Sequence, residues 1–276
     1  MGWRIPGTGA MVAAAAVLAA LLLPQNATAQ ESSDAGGRVA RTITLPDPTA
    51  DWAYQIGGSS TPAASVGTVV RDRHDTAAGL YDVCYVNAFQ TQPDERRMWT
   101  SPRHRDLVLR DASGRPVVDE VWGEWLLDTR TATKRSRLAV IIGRWIDGCA
   151  RDGFEAIEPD NLDSWSRSSG LIEPKHNLAL SRLLATRAHA AGLAIAQKNA
   201  AGLGSRGAGA GFDFAIAEEC GRYSECGRYV KAYGDKVLVV EYRRPDFEAT
   251  CAAFGDRLPV VLRDRAVSVG GVDERC

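Results

Sequence analysis

Gly153–Asp163, "GFEAIEPDNLD", is the stretch on which the fold turns. Its Phe154–Asn161 portion opens as an apolar, strand-like run and closes on Glu158, Asp160 and Asn161 around a proline. On the amino side, "RLAVIIGRWIDGCARDG" has apolar residues at helical spacing and a glycine stop at Gly153. On the carboxyl side, "NLALSRLLATRAHAAG" strings Leu178, Leu180, Leu183, Leu184 and Ala188 into one stripe closed by Gly192. A short strand between two helix-length segments implies parallel pairing through right-handed crossovers. The polar end of that strand has either run out into water or reached a site.

Working outward, seven more runs read as strands: Trp52–Gly57, Tyr81–Phe89, Glu124–Arg130, Leu193–Asn199, Phe212–Cys220, Lys236–Arg243 and Leu258–Asp264. Eight strands alternating with helix-length segments predict a (β/α)8 TIM barrel, for which about 250 residues is typical. An open doubly wound sheet is the alternative, but "IGGSS" at Ile56–Ser60 is a poor match to the phosphate turn it would carry. Arg103–Val121 is expected to be an inserted hairpin turning at "DASG", and the glycine-rich Gly202–Gly211 a flexible loop.

The first 29 residues have a basic start, the apolar run Met11–Leu23 and a small-residue exit, the pattern of a cleaved signal peptide. The apolar run is shorter than the roughly 20 residues of a membrane span. The expectation is therefore an exported protein without a span after cleavage, with residues 30–50 a flexible segment and 51–276 one domain. The formal net charge of -1, with acids and bases interspersed, lacks the basic stripe of a nucleic-acid binder, and nothing calls for an oligomer. Six cysteines, all beyond the leader, favour disulfides in an exported chain. Cys220 and Cys226 are close enough for a local bridge, leaving Cys84–Cys149 and Cys251–Cys276 as the preferred remainder among 15 pairings. No Cys-x-x-Cys pair and only 4 histidines speak against a metal centre, and no cofactor is called for.

The informative regularity lies at the strand ends. In a parallel barrel the carboxyl ends of the strands ring the active-site face. Here they carry Gln55, Asn87, Asp128, Glu158 with Asp160, Lys198 with Asn199, Glu218 with Glu219, Glu241, and Arg263 with Asp264. Strand alternation groups Phe154, Ala156, Glu158 and Asp160; it also groups Phe214, Ile216 and Glu218, and Val237, Val239 and Glu241. Carboxylates that follow buried residues of equal parity are expected at the barrel mouth. There burial and like-charge neighbours separate their pKa values, as glycosidic bond cleavage requires. Trp52, Tyr54, Tyr85, Trp125, Trp165 and Tyr242 are candidate sugar-stacking rings. A serine-hydrolase elbow is absent from the sequence. A divalent cation on the carboxylates would face competition from Lys198.

"YQIGG", "VCYVNAF", "GEWLLDTR", "GFEAIEPDNLD", "AGLAIAQKN", "FDFAIAEECGRYSEC" and "VLVVEYR" resemble, in order and spacing, the barrel of glycoside hydrolase family 114 from about Asp51 to Asp264. The characterised members of that family are endo-α-1,4-polygalactosaminidases. The resemblance implies a secreted, retaining enzyme acting on galactosamine-containing microbial polysaccharide, with Asp160 as nucleophile and Glu218 as acid/base. Glu241 stands as a second choice for either role. Asp128, Glu158, Lys198 and Asn199 would line the sugar site, with Gln55, Tyr85 and Tyr242 nearby. After the second strand the chain departs from the family in "NAFQTQPDERR". A catalytically silent barrel that binds cell-wall or biofilm polysaccharide is the alternative.

Overall fold

The computed structural model describes residues 42–276. The expected leader and most of the segment that follows it lie outside the described residues. The chain runs β1 (Asp51–Gln55), β2 (Val66–Asp72), β3 (Tyr81–Asn87), α1 (Arg96–Thr100), β4 (Val118–Asp119), β5 (Glu124–Trp125), α2 (Ala132–Arg151), β6 (Ala156–Asp160) and α3 (Pro174–Ala191). It continues through β7 (Ala194–Lys198), α4 (Ser205–Ala208), β8 (Phe214–Glu218), α5 (Cys226–Tyr233), β9 (Val237–Glu241), α6 (Arg244–Phe254), β10 (Val260–Arg263) and β11 (Asp273–Arg275). The main sheet has nine strands in the order β1-β2-β3-β6-β7-β8-β9-β10-β11, parallel throughout except for β11. Trp52 Nε1 on β1 donates to the carbonyl of Pro259, next to β10, and Arg275 on β11 donates to the carbonyl of Trp52. These bonds bring the two ends of the sheet together as a TIM barrel.

The eight parallel strands differ in membership from the eight expected. Val66–Asp72 is a barrel strand that the strand–helix alternation misses, because residues 56–65 and 73–80, on either side of it, contain no helix. Glu124–Arg130 is not a barrel strand: only Glu124 and Trp125 are in a strand, paired antiparallel with Val118 and Asp119. Leu126 and Leu127 are buried, but through antiparallel bridges to Gln90 and Val108. The inserted hairpin turns at Asp111–Gly114 as expected, with Gly114 N donating to the Asp111 carbonyl. Gly202–Gly211 is two short helical turns rather than an open loop. Gly207 lies close to a buried hydrogen bond, and a Cβ there would fall 1.7 Å from Gln197 Oε1 and 2.6 Å from its donor Tyr233 Oη.

The helices flanking β6 follow their sequence signals. Thr131 caps α2, accepting from Lys134 N, and α3 ends on Gly192 in the left-handed region at φ 80°. Parallel strands are buried on both faces, and two apolar layers result. Inside the barrel lie Trp52, Tyr54, Val70, Val83, Ala156, Ala196, Phe214, Ile216, Leu238, Val240 and Val261. Between sheet and helices lie Val86, Ile142, Ile157, Leu180, Leu184, Ile195, Ala217, Val237, Val239 and Val260. Ile43 and Leu45 pack against the inner layer, and Thr44 O accepts from Tyr81 Oη at 2.8 Å, so part of the expected flexible segment is packed.

Three disulfides form: Cys84–Cys149, Cys220–Cys226 and Cys251–Cys276. The first ties α2 to β3, the second clamps the segment after β8, and the third fixes the end of the chain to α6. No helix among the described residues is long and apolar enough to cross a membrane.

Candidate active site

The inward parity of β6 is Ala156, Glu158, Asp160. The β3–β6 ladder runs through Asp160, whereas the β6–β7 ladder stops at Ile157. Pro159 follows shortly after and has no N–H to donate. The residue after each of β6, β7 and β8 takes a left-handed backbone: Asn161 at φ 63°, Asn199 at φ 50° and Glu219 at φ 54°. Asparagine tolerates this region best among residues with a side chain; glutamate bears a cost of about 1–2 kcal/mol. These turns leave Asp160, Lys198 and Glu218 at the barrel mouth.

Lys198 is the centre of the site and is 1% exposed. Its Nζ donates to Glu158 Oε1 and to Tyr54 Oη, each at 2.7 Å, and Tyr54 Oη donates to the same Glu158 oxygen at 3.0 Å. The ammonium also lies 3.4 Å from Asp160 Oδ1 and 3.7 Å from Glu218 Oε2. It sits over the rings of Tyr54 and Tyr85, 5.2 and 5.7 Å from their centroids. Burial opposes its charge, but Asp160, Glu158 and Glu218 outweigh burial and hold the ammonium well above its ordinary pKa. Burial pushes Glu158 up to about 7 against the pull of Lys198.

Asp160 and Glu218 are the reachable carboxyls, with side chains 16% and 25% exposed against 0% for Glu158. Asp160 accepts from its neighbour Asn161 N at 2.6 Å and from Tyr85 Oη at 2.9 Å. Glu218 accepts from Asn199 Nδ2 at 2.7 Å and from Tyr242 Oη. Asn199 also receives Glu218 N on its Oδ1 at 2.8 Å, so one amide fixes both backbone and side chain of Glu218. Burial and the facing carboxylates hold Tyr85 and Tyr242 well above their ordinary pKa, so both phenols stay protonated and donate. These groups share a cleft of about 320 Å³.

The cleft thus gathers Tyr85, Asp160, Asn199, Glu218 and Tyr242, with Lys198 and Glu158 directly beneath. Three residues expected at the site lie elsewhere. Gln55 faces outward from β1 and bonds Arg71 and Ser60. Asp128 is near the start of α2, where burial raises its carboxyl but bonds to Arg130 and Lys134 win and bring it down to about 2. Glu241 lies on the outer parity of β9 with Val237 and Val239, fully buried. It accepts from Gly221 N at 2.7 Å, and burial pushes it up to about 7. Alternation does not reveal this: with both faces of β9 apolar, hydrophobicity cannot say which parity points inward. Trp52 and Tyr54 are core residues with no exposed surface.

The cleft also holds residues that the reading of strand ends passes over: Trp122, Glu124, Arg167 and Arg265. All lie outside the barrel strands, Glu124 in the β4–β5 hairpin, and Trp122, 54% exposed at the hairpin tip, is an aromatic beside "GE" in a turn. Glu219 reaches the cleft too, held by Arg222 at 2.5 Å and Arg265 at 3.1 Å. Sγ of Cys220 and Cys226 lies within 4.8 Å of a Glu241 oxygen, but the two sulfurs are bonded to each other and offer no thiolate to a metal.

A parallel barrel that presents two reachable carboxyls at the carboxyl ends of its strands has the arrangement of a barrel glycosidase. The chain belongs to Glycoside-hydrolase family GH114, whose family model matches residues 34–276, and it is a glycoside hydrolase. Its fold is similar to that of Aspergillus fumigatus Ega3, crystallised in complex with galactosamine, at TM-score 0.70 and 18% identity over 87% of this chain and 100% of that one. The glycoside hydrolase domain of PelA from Pseudomonas aeruginosa is similar at TM-score 0.54 and 14% identity, covering 81% of this chain and 97% of that one. A search of curated proteins gives no match.

Proposed function

We propose that the chain is an exported, retaining endo-α-glycosidase of galactosamine-containing polysaccharide, with Asp160 as nucleophile and Glu218 as acid/base. The observation that carries this reading is the convergence of two partly exposed carboxyls on one buried ammonium, Lys198, beneath the cleft. An Asp160 oxygen attacks the anomeric carbon while the Glu218 carboxyl protonates the departing glycosidic oxygen, giving a glycosyl ester and the shortened chain. Glu218 then takes a proton from water, whose oxygen attacks the same carbon and releases Asp160. Retention requires the two carboxyl groups about 5–5.5 Å apart. The distances from Lys198 to the nearest oxygen of each are compatible with that spacing.

Galactosamine is cationic when not acetylated, and six carboxylates line the cleft, Asp119, Glu124, Asp160, Asp163, Glu218 and Glu219, against two arginines, Arg167 and Arg265. That charge favours an amino-sugar polymer, and galactosamine is the sugar bound in the Ega3 crystal. Export is supported by the three disulfides, which persist in oxidising compartments. Incubation with purified galactosamine-rich polysaccharide, followed by mass and anomeric analysis of the products, tests the reading. Internal cuts with α-anomeric ends support it. β-Anomeric first products refute retention, and no products from this polymer refute the substrate.

A further inference from the structure

Among the six cleft carboxylates, Glu124 stands apart in how its charge is met. Asp160 and Glu218 share Lys198. Asp119 and Asp163 share Arg167, each at 2.9 Å. Glu219 has Arg222 and Arg265. Glu124 has no cation in salt-bridge range among the described residues. Its donors are neutral amides, Asn87 Nδ2 at 2.9 Å and Asn161 Nδ2 at 3.5 Å, both on Oε2, and no donor among the described residues reaches Oε1. Taking a carboxylate out of water without a counter-ion is unfavourable. Burial accordingly pushes this group up to about 7, with Asp160 and Asp119 adding to the rise and the Asn87 bond and the more distant Arg167 pulling against it.

Position adds a second argument. Asn87 pairs with Asp160 across the β3–β6 ladder. Asn161, the other donor to Glu124, follows Asp160 in the chain and also donates to Asn87 Oδ1 at 3.0 Å. The free face of Glu124 therefore opens within one residue of the proposed nucleophile. In a hexosamine the amine sits on C2, next to the anomeric carbon that the nucleophile attacks. A sugar placed for attack by Asp160 carries its C2 substituent into this neighbourhood.

We propose that Glu124 is the specificity residue of the cleft, its unpaired carboxylate binding the C2 ammonium of a 2-amino-2-deoxyhexose unit held for attack by Asp160. This rests on the function proposed above and deepens it. An N-acetyl group or a hydroxyl at C2 brings no positive charge, so neither balances Glu124. The amine-bearing sugar is preferred because it supplies a cation in direct contact, which the fold gives to the other five carboxylates and not to this one.

The test measures binding of galactosamine, N-acetylgalactosamine and galactose by calorimetry to the wild-type protein and to Glu124→Gln, an isosteric change whose folding is checked by melting temperature. The expected result is that wild type prefers galactosamine. Glu124→Gln should raise the Kd of galactosamine at least tenfold while that of galactose stays within about twofold. No preference in wild type, an unchanged galactosamine affinity in the variant, or an equal loss for both sugars overturns the proposal. A wild-type galactosamine complex provides a check independent of any variant: the amine nitrogen is expected in hydrogen-bond range of a Glu124 oxygen, and an amine turned away overturns the assignment. Hydrolysis assays separate the two levels of inference. If wild type leaves the galactosamine polymer intact, the amino-sugar reading falls and this one with it. If wild type cuts that polymer and Glu124→Gln retains the preference, only the role of Glu124 falls.

Discussion

Lys198 carries more of the site than any other residue, because one buried ammonium answers to Glu158, Asp160 and Glu218. Removing one partner of a buried ion pair leaves an uncompensated charge and costs about 3–5 kcal/mol. Lys198→Met is expected to lose that much in denaturant unfolding and to be inactive. The double variant Lys198→Met/Glu158→Gln should recover stability without recovering activity; if the single variant is as stable as wild type, the network is not what holds this part of the barrel. Asp160→Asn is expected to abolish polysaccharide hydrolysis in a protein that still folds, Lys198 keeping Glu158 and Glu218 as partners, and full activity in that variant would end its assignment as nucleophile. Asp160 and Glu218 were legible from the sequence because their strands combine a buried parity with a polar end. Glu241 was misread by the same logic, since parity groups residues without saying which group faces the barrel axis.

At the scale of elements, the loop after β8 is held from both sides. The Cys220–Cys226 bridge closes it, and Gly221 lies against β9 and α6 so tightly that a Cβ would meet Thr250 Oγ1 at 1.7 Å and Glu241 Oε1 at 2.9 Å. Gly221→Ala is expected to destabilise by about 1–3 kcal/mol, the usual range for overpacking, read as a lowered urea midpoint at constant m. It should also displace Glu218 and lower kcat. The hairpin of β4 and β5 is the other element that shapes the cleft. Trp122 is 54% exposed and packs against no core cluster among the described residues, so Trp122→Ala should leave stability unchanged while raising KM for polymer several-fold. An unchanged KM would mean that the ring does not meet the chain of sugars.

For the whole molecule, buried carboxyls set the response to pH. Burial pushes Glu124, Glu158 and Glu241 each up to about 7, whereas a glutamate in the unfolded chain titrates near about 4.3. Between those values the folded state keeps protons that the unfolded state has released, so stability falls as pH rises from about 4 to about 7. Asp128 acts in the opposite sense. Held at about 2 in the fold, it contributes stability above about 3.9 that is lost as pH falls through the folded value. Calorimetric melting temperatures should therefore be higher near pH 4.5 than near pH 7.5, with Glu241→Gln flattening the difference. A melting temperature that climbs steadily across that range contradicts this account. The Cys84–Cys149 bridge closes a loop of 65 residues, for which chain entropy predicts about 4 kcal/mol. Reduction under native conditions is thus expected to lower the melting temperature by many degrees.

The amino-acid sequence by itself determined the parallel α/β class, the helices either side of β6, the local Cys220–Cys226 pair and the carboxylates of β6 and β8. Each of these is written in local periodicity, spacing or a glycine stop. Tertiary structure alone decided that Val66–Asp72 is a barrel strand and Glu124–Arg130 is not, because strand pairing is a contact between distant segments. It likewise turned Glu241 and Gln55 away from the cleft and sent Asp128 to its cationic partners near the start of α2. It brought Trp122, Arg167 and Arg265 in from connections whose local sequence carries no period to read, and Glu124 in from a short hairpin outside the barrel sheet. In a sheet buried on both faces, hydrophobicity marks the strands, but only closure of the barrel defines an inside.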